Sequence, residues 1–301
     1  MRAPVCPATR HTGALAVLWQ GPPALRAVYG QVKRERMGEY VDVGGVHTWY
    51  DSVGAGQPLL LLHGGLVSNT MWGEVTVALG RHFHVLAPER RAHGHTPDVP
   101  GPITYDAMAE DTIGFMESIE CGPADLVGWS DGAVVALLVA LRRPDLVRQL
   151  VVYGGLVDVS ANLPAMGYLV AEPPDSPALE EFRTRYAAQS PDGAEHWPTV
   201  WGKVAHLWKT EPHIALTELH RVRAHTLVMA GDDDLVRLEH VVAMYEAIPD
   251  CELAVLPGAS HAAHLDKPEL FDRILLDFLL KEPVPTMLPI RRAQAGAPTP
   301  A

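Results

Sequence analysis

Short apolar runs alternate with longer amphipathic segments along most of the chain. Apolar residues dominate the runs 58–62, 124–127, 150–153 and 226–230, which is typical of strands covered on both faces of a sheet. Residues 105–119 instead repeat apolar positions at helical spacing and predict an amphipathic helix. Strands that alternate with helices predict a mostly parallel sheet with helices on both faces, so the predicted fold class is α/β. Further strands are predicted at 84–87 and 253–256, and further helices near 71–80 and 268–281.

Two segments depart from this alternation. Residues 40–43 and 46–50 flank a Gly-Gly pair and predict a β-hairpin. Residues 158–222 are helical in pattern, and proline is frequent at their start. We interpret them as a helical cap inserted into the α/β core. The predicted core then consists of residues 37–157 and 223–281.

Both ends of the chain lack the pattern of the core. Residues 1–36 hold six basic residues and one acidic residue. Three interpretations compete for them: a non-native extension upstream of a start at Met37, a targeting segment, or a disordered tail. Residues 282–301 are rich in proline and alanine and predict a disordered tail.

Composition narrows the class of protein. The 301 residues carry a net charge of −12, which argues against nucleic acid or an anionic membrane surface as a partner. No apolar run reaches the roughly 18 residues of a membrane span. Cys6, Cys121 and Cys251 are odd in number and scattered, which predicts a reducing compartment, the cytoplasm. We expect a monomer or homodimer that acts on a small molecule.

The clearest chemical motif is the pentapeptide Gly128-Trp129-Ser130-Asp131-Gly132. It follows an apolar run and precedes a helix-like run, which is the context of a G-x-S-x-G nucleophile elbow. Such a turn holds its serine in a strained backbone conformation and exposes the hydroxyl above the sheet. Ser130 is therefore the candidate nucleophile.

A serine nucleophile needs a histidine base, and the base needs a carboxylate that orients it. For this kind of elbow the expected chain order is serine, acid, histidine. Asp232, Asp233 and Asp234 follow a predicted strand and compete for the role of the acid. Asp234 is favoured because the residues before it would form the turn. His261 follows the last predicted strand in a glycine-containing loop and is the candidate base.

The oxyanion hole is predicted from a second glycine-rich loop. His63-Gly64-Gly65 comes directly after the apolar run 58–62. The amides of Gly65 and Asp131 are the candidate donors to a reacting carbonyl oxygen. His261 and His264 suggest a metal pair, but no third ligand stands at the usual spacing. We predict neither a metal nor a cofactor.

Together these motifs make the chain resemble the α/β-hydrolase superfamily over about residues 37–281. Residues 88–96 are similar to the family's D-x-R-G-x-G-x-S loop, with Glu89 where Asp is commoner and Ala92 where Gly is commoner. These departures are either mild or change the floor of the pocket. Haloalkane dehalogenases and epoxide hydrolases share the layout but carry an aspartate at the elbow, so Ser130 separates the chain from them. Residues 126–132 resemble the valacyclovirase (biphenyl-hydrolase-like) branch.

The resemblance implies a serine hydrolase that cleaves carboxylic esters through an acyl-enzyme. In the valacyclovirase branch the substrates are esters of α-amino acids, and the acid after the nucleophile, here Asp131, is linked to recognition of the amine. The alternative for Asp131 is that its side chain only caps the helix. Alternatives for the activity are a cofactor-free perhydrolase or haloperoxidase, a thioesterase, a C–C bond hydrolase, or a ligand receptor with little turnover.

Three tryptophans mark the predicted cap. Trp197, Trp201 and Trp208 share one face of a predicted helix. Trp197 and Trp201 are candidate substrate-binding residues in a pocket beneath a lid. The alternative interpretation is that they pack the cap onto the core.

Overall fold

The computed structural model describes residues 37–280 and Met287. The predictions for residues 1–36, and for 282–301 apart from Met287, lie outside the described residues. Within residues 37–280, eight strands form one sheet, and helices pack on both of its faces. The predicted α/β architecture is therefore confirmed.

The sheet is antiparallel at one edge and parallel elsewhere. In chain order its strands are β1 Met37–Val43, β2 Val46–Val53, β3 Pro58–Leu62, β4 His84–Pro88, β5 Ala124–Trp129, β6 Val147–Tyr153, β7 His225–Asp233 and β8 Cys251–Ser260. They lie side by side in the order β1-β2-β4-β3-β5-β6-β7-β8. β2 pairs antiparallel with β1 and β4, and the remaining neighbours are parallel.

Helices cover the two faces of the sheet. In chain order they are α1 Gly73–Leu79, α2 Tyr105–Ser118, α3 Asp131–Arg142, α4 Pro164–Leu169, α5 Glu180–Gln189, α6 Trp197–Thr210, α7 Leu238–Ala247, α8 Ala263–Asp266 and α9 Pro268–Leu280. α2, α3 and α7 bury their apolar residues in one cluster, and α1 and α9 in the other. α3 is apolar all round because it is buried along almost its whole length.

The register of the central strands brings two loops together. β3 lies between β4 and β5, and Leu62 pairs with Gly128 at the carboxyl end of β3. The residues that follow β3 therefore lie beside the residues that follow β5. Parallel strands end at one edge of a sheet, where such folds place their ligands.

The last two strands are longer than the apolar runs predict. β7 and β8 continue to a pairing between Asp233 and Ser260, after an irregularity in the register. The predicted turn at Asp232 and the predicted loop before His261 are thus strand, because backbone pairing extends beyond the apolar residues. His261 follows β8 directly.

The segment between β6 and β7 contains α4, α5, α6 and four short 3₁₀ turns. An ion cluster ties it to the loop that follows β4. Lys203 Nζ on α6 lies 2.7 Å from a carboxylate oxygen of Asp98, and His196 Nε2 lies 2.8 Å from it. The Asp98 side chain is 7% exposed, so this contact is shielded from solvent. We keep the cap over residues 158–222 as our proposal for this segment.

Candidate active site

Ser130 occupies the sharp turn between β5 and α3. Its φ of 56° and ψ of −121° are a strained combination for a residue with a side chain. A Cβ at Gly128 would collide with the carbonyl of Gly132, so strand and helix approach each other too closely for side chains there. This geometry directs the Ser130 hydroxyl into the cavity above the sheet.

The structure brings the three predicted triad side chains together. His261 Nε2 lies 2.9 Å from Ser130 Oγ, and His261 Nδ1 lies 2.6 Å from Asp234 Oδ1. A carboxylate can only accept, so Nδ1 carries the proton and Nε2 accepts from the serine hydroxyl. The carbonyl oxygen of His261 accepts from Trp129 Nε1 and Tyr153 Oη, both at 2.8 Å, which fixes the loop that carries the ring.

Of the three competing aspartates, only Asp234 is buried and reaches the histidine. Asp234 Oδ1 also accepts from the backbone N–H of Leu235 at 2.6 Å, and Oδ2 accepts from that of Gly231 at 3.3 Å. Asp232 is exposed, and its carboxylate accepts from the N–H of Ala259. Asp233 is exposed at the rim of the cavity.

Burial and charge pull the pKa values of the pair in opposite directions. Burial alone would lower the pKa of His261, but the charge and hydrogen bond of Asp234 outweigh it and raise the pKa above 6.5. Burial alone would raise the pKa of Asp234, but the charge of His261 and the hydrogen bonds to the carboxylate lower it below 3.8. The histidine is thus a stronger base than a free imidazole.

The amides of Gly65 and Asp131, the candidate oxyanion donors, belong to residues that line the cavity. Within residues 37–280, neither the Gly65 N–H nor the Asp131 N–H donates to a protein atom. A Cβ at Gly65 would collide with the carboxylate of Asp131 and with the ring of Trp208. Glycine is therefore required at position 65, and the loop after β3 fits against the first turn of α3.

The side chain of Asp131 is buried and already hydrogen-bonded. Its Oδ1 accepts from Tyr105 Oη at 2.8 Å and from Trp208 Nε1 at 2.9 Å. Burial raises the pKa of the Asp131 carboxyl, and the charge of Arg90 is the largest effect that opposes the rise. The Asp131 side chain thus connects α2 and α6 at the edge of the cavity.

A cavity of about 520 Å³ opens above Ser130, between the sheet and the segment that follows β6. Its far wall is apolar and comes largely from α4 and α5, through Met166, Leu169 and Phe182. Trp208 lines the cavity, but Trp197 and Trp201 do not. Both are buried, and their indole N–H groups donate to the carbonyls of Pro174 and Glu172. The structure thus places both away from this cavity, because that face of α6 packs against other parts of the segment between β6 and β7.

The structure also locates Glu89, Ala92 and His264, which the sequence had singled out. Glu89 and Ala92 are buried residues of the loop after β4 and are not among the residues that line the cavity, so the two departures do not change its lining. His264 is buried against Trp72 and Trp129, and burial lowers its pKa to about 3.

Within residues 37–280 no group of acidic, histidine or cysteine side chains has the geometry of a metal site. No helix in this part of the chain is long and apolar enough to cross a membrane.

Sequence reasoning missed Arg90 and Tyr105 as contributors to the site, and it did not connect Trp208 with Asp131. Tyr105 begins α2 and Trp208 lies near the end of α6, so no local pattern connects them with Asp131. Arg90 follows β4, and its bonds to the neighbouring loop depend on the pairing of β4 with β3. The one feature of the sequence that could have pointed to such residues is a polar side chain that stands directly next to an apolar run.

A match to a family model shows the protein family of this chain. The model of the alpha/beta hydrolase family matches residues 59–274. The chain belongs to this family. Among curated proteins, this alpha/beta hydrolase is 28% identical over 269 residues to a 2-hydroxy-6-oxo-2,4-heptadienoate hydrolase of Pseudomonas putida, covering 82% of the chain and 97% of the relative. It is 26% identical over 251 residues to serine hydrolase BPHL of Homo sapiens, covering 79% and 85%.

Solved structures agree with the fold. The meta-cleavage product hydrolase CumD superposes with a TM-score of 0.72 at 24% identity, covering 81% of this chain and 98% of that one. The predicted resemblance to the serine branch of the superfamily, including the BPHL type, is confirmed. Because the curated relatives are hydrolases, the chain is a hydrolase as well.

Proposed function

We propose that the protein hydrolyses carboxylic esters of small molecules through an acyl-enzyme on Ser130. The observation that carries this proposal is the chain of contacts from Ser130 Oγ through His261 to Asp234, at the base of the cavity. Each contact has the length expected between a nucleophile, its base and the acid that orients it.

In the proposed reaction, His261 Nε2 takes the proton of Ser130 as Oγ attacks the ester carbonyl carbon. The carbonyl oxygen becomes an oxyanion and accepts hydrogen bonds from the amides of Gly65 and Asp131. The bond to the leaving alcohol then breaks, and His261 returns the proton to that alcohol. Water repeats the sequence on the acyl-enzyme: His261 takes its proton, the ester to Ser130 breaks, and the acid leaves.

The charges around the cavity support neutral or cationic substrates. Among the described lining residues the charged ones are acidic, apart from His261, and neither lysine nor arginine occurs. An anionic substrate would therefore meet like charge without a counter-ion. Esters of α-amino acids are the cationic candidates, with Asp131 next to the reacting carbonyl as the group that attracts the amine.

A C–C bond hydrolase is the second candidate, because two relatives are named as hydrolases of a 2-hydroxy-6-oxo dienoate and a 2-hydroxy-6-oxo dienoic acid. The substrates in those names are carboxylates, and the described cavity wall offers them no cationic side chain. This observation favours the ester over the dienoate as the substrate of this chain.

The test measures hydrolysis of p-nitrophenyl esters of two to twelve carbons, an α-amino acid ester and a 2-hydroxy-6-oxo dienoate. Ser130→Ala is compared with Ser118→Ala, which changes an exposed serine at the end of α2. We expect ester turnover that Ser130→Ala abolishes and Ser118→Ala retains. If the protein turns over the dienoate but none of the esters, the C–C bond hydrolase is the better assignment. If folded Ser130→Ala still hydrolyses esters, Ser130 is not the nucleophile.

A further inference from the structure

Arg90 carries a buried guanidinium directly beneath the predicted oxyanion loop. The residue is 4% exposed and follows β4, next to the strand that leads into the loop. Burial lowers the pKa of this arginine to about 10, so it remains a cation at neutral pH. A buried cation is costly unless nearby groups accept its hydrogen bonds and balance its charge.

Those acceptors are the carbonyl oxygens of the oxyanion loop itself. One terminal nitrogen of Arg90 donates to the carbonyl of His63, and the other donates to the carbonyl of Gly64 at 2.8 Å. The backbone N–H of Arg90 donates to His63 Nε2 at 3.1 Å, so the histidine ring is fixed as well. Two consecutive peptide carbonyls after β3 thus point toward one planar, rigid donor.

The bond to Gly64 has a direct consequence for Gly65. The carbonyl of Gly64 and the N–H of Gly65 belong to one planar trans peptide, in which C=O and N–H point in opposite directions. A guanidinium that holds the carbonyl on one side therefore directs the N–H to the other side, toward the cavity. Because hydrogen bonds in a chain polarise one another, the same bond strengthens this N–H as a donor.

The charge of Arg90 also acts on the carboxylate of Asp131, through the electrostatic field between them. That carboxylate lies so close to Gly65 that a Cβ there would collide with it. A negative charge at this place repels the oxyanion that forms beside it. Arg90 is the largest electrostatic influence that keeps the pKa of Asp131 from rising further, so the two buried charges offset each other.

We propose that Arg90 is a positioning residue of the oxyanion hole, which orients the Gly64–Gly65 peptide and offsets the charge of Asp131 during the reaction. The inference rests on the proposed function of Ser130. It assigns to Arg90 a role in the rate of the chemical step, separate from the binding of the substrate.

The test compares Arg90→Met with Arg91→Met on a neutral p-nitrophenyl ester. Arg91 is the neighbouring arginine, but it pairs with Asp111 at 2.6 Å, away from the loop. For Arg90→Met we expect kcat to fall roughly 100-fold, as for the loss of one oxyanion donor, with KM changed less than about threefold. Arg91→Met keeps the wild-type kcat per folded molecule. Arg90→Lys, which keeps the charge but reaches only one carbonyl, falls between the two.

A second substitution separates the effect of Arg90 on the charge of Asp131 from its effect on the orientation of the Gly64–Gly65 peptide. In the Arg90→Met background, Asp131→Asn removes the uncompensated negative charge and leaves an oxygen for Tyr105 and Trp208. We expect it to restore kcat by about tenfold, since the repulsion of the oxyanion is then absent. If Arg90 only oriented the Gly64–Gly65 peptide, the second substitution would not restore kcat. An unchanged or lower kcat in the double variant therefore overturns the inference that Arg90 offsets the charge of Asp131.

Affinity for an alkylboronic acid supplies a readout without turnover. Ser130 Oγ adds to the trigonal boron, His261 takes the proton, and the tetrahedral adduct occupies the oxyanion hole. We expect Arg90→Met to weaken this affinity by the same factor as kcat. Wild-type kcat and boronate affinity in folded Arg90→Met would overturn the inference. Wild-type protein that neither binds the boronate nor turns over esters would instead refute the proposed function.

Discussion

Replacing Asp234 by asparagine tests how the candidate triad holds its proton. Asp234 Oδ1 accepts from both His261 Nδ1 and the N–H of Leu235, and Oδ2 accepts from the N–H of Gly231. Every group around this carboxylate is a donor. An asparagine of the same shape must point its own NH₂ donor at one of them, whichever way its amide is turned.

Both orientations impair the base. With the NH₂ toward His261, the imidazole accepts at Nδ1 and carries its proton on Nε2, where it can no longer take the serine proton. With the NH₂ toward Gly231, two donors face each other in a buried position, and the imidazolium loses its neighbouring negative charge. The wrong tautomer alone lowers kcat on the order of 10,000-fold in enzymes of this type. We expect a fall of about 1,000- to 10,000-fold here.

The assay is kcat/KM for a p-nitrophenyl ester between pH 5 and 9, together with the thermal melt. Asp232→Asn is the matched control, since Asp232 is exposed and its one acceptor oxygen can be kept by asparagine. We expect the control to remain within about threefold of wild type. A folded Asp234→Asn protein with more than about a tenth of the wild-type kcat would refute the reasoning.

The pH profile adds a second check with a defined sign. His261 acts as a base only when neutral, so activity falls as the pH drops through its pKa. The charge of Asp234 raises this pKa, which places the acidic limb of wild-type activity above pH 6.5. In Asp234→Asn the residual activity should have its acidic limb at lower pH, because the charge that raised the pKa is gone. An unchanged or higher limb would contradict the assignment.

Three further predictions follow from the same geometry. Gly65→Ala should lower kcat by roughly 100-fold with a folded melt, because its Cβ displaces the loop from Asp131; a change under threefold would contradict this. Trp201→Phe should cost roughly 1 kcal/mol of stability in urea unfolding by losing the bond to Glu172, with KM unchanged, whereas Trp208→Phe should alter KM or kcat. Gly202→Ala should stabilise the protein by roughly 1 kcal/mol, since no atom lies within 4 Å of the added Cβ on α6; a lower urea midpoint would refute it.

The sequence predicted the fold well because the fold depends on patterns that are local. Buried parallel strands need apolar residues on both faces, so β3 and β5 stand out as short apolar runs. The elbow is equally local: glycines, serine and the change from strand to helix all fall within a few residues. Ser130 and His261 could be singled out because each stands after an apolar run, Ser130 within the elbow and His261 in a glycine-containing segment beyond the last run.

What the sequence could not predict depends on contacts between distant segments. The sequence favoured Asp234 among three adjacent acids, but its contact with the base depends on the pairing of β7 with β8, which brings His261 to that carboxylate. The face of α6 that carries three tryptophans predicts one shared role, but Trp197 and Trp201 pack within the segment between β6 and β7 while Trp208 reaches the cavity. Helical periodicity identifies the buried face and leaves open what covers it.

The surroundings of Asp131 link the cap to the chemistry beneath it. An acid next to the nucleophile opposes the negative charge of the transition state, and three groups reduce that opposition: the cation of Arg90, the hydroxyl of Tyr105 and the indole of Trp208. Arg90 and Tyr105 lie in the segment before β5, whereas Trp208 lies on α6, between β6 and β7. Movement of α6 away from the core would therefore remove a hydrogen bond from Asp131 and raise the cost of forming an oxyanion. In the proposed mechanism, the contact between Trp208 and Asp131 would therefore let the position of α6 affect the rate of the chemical step.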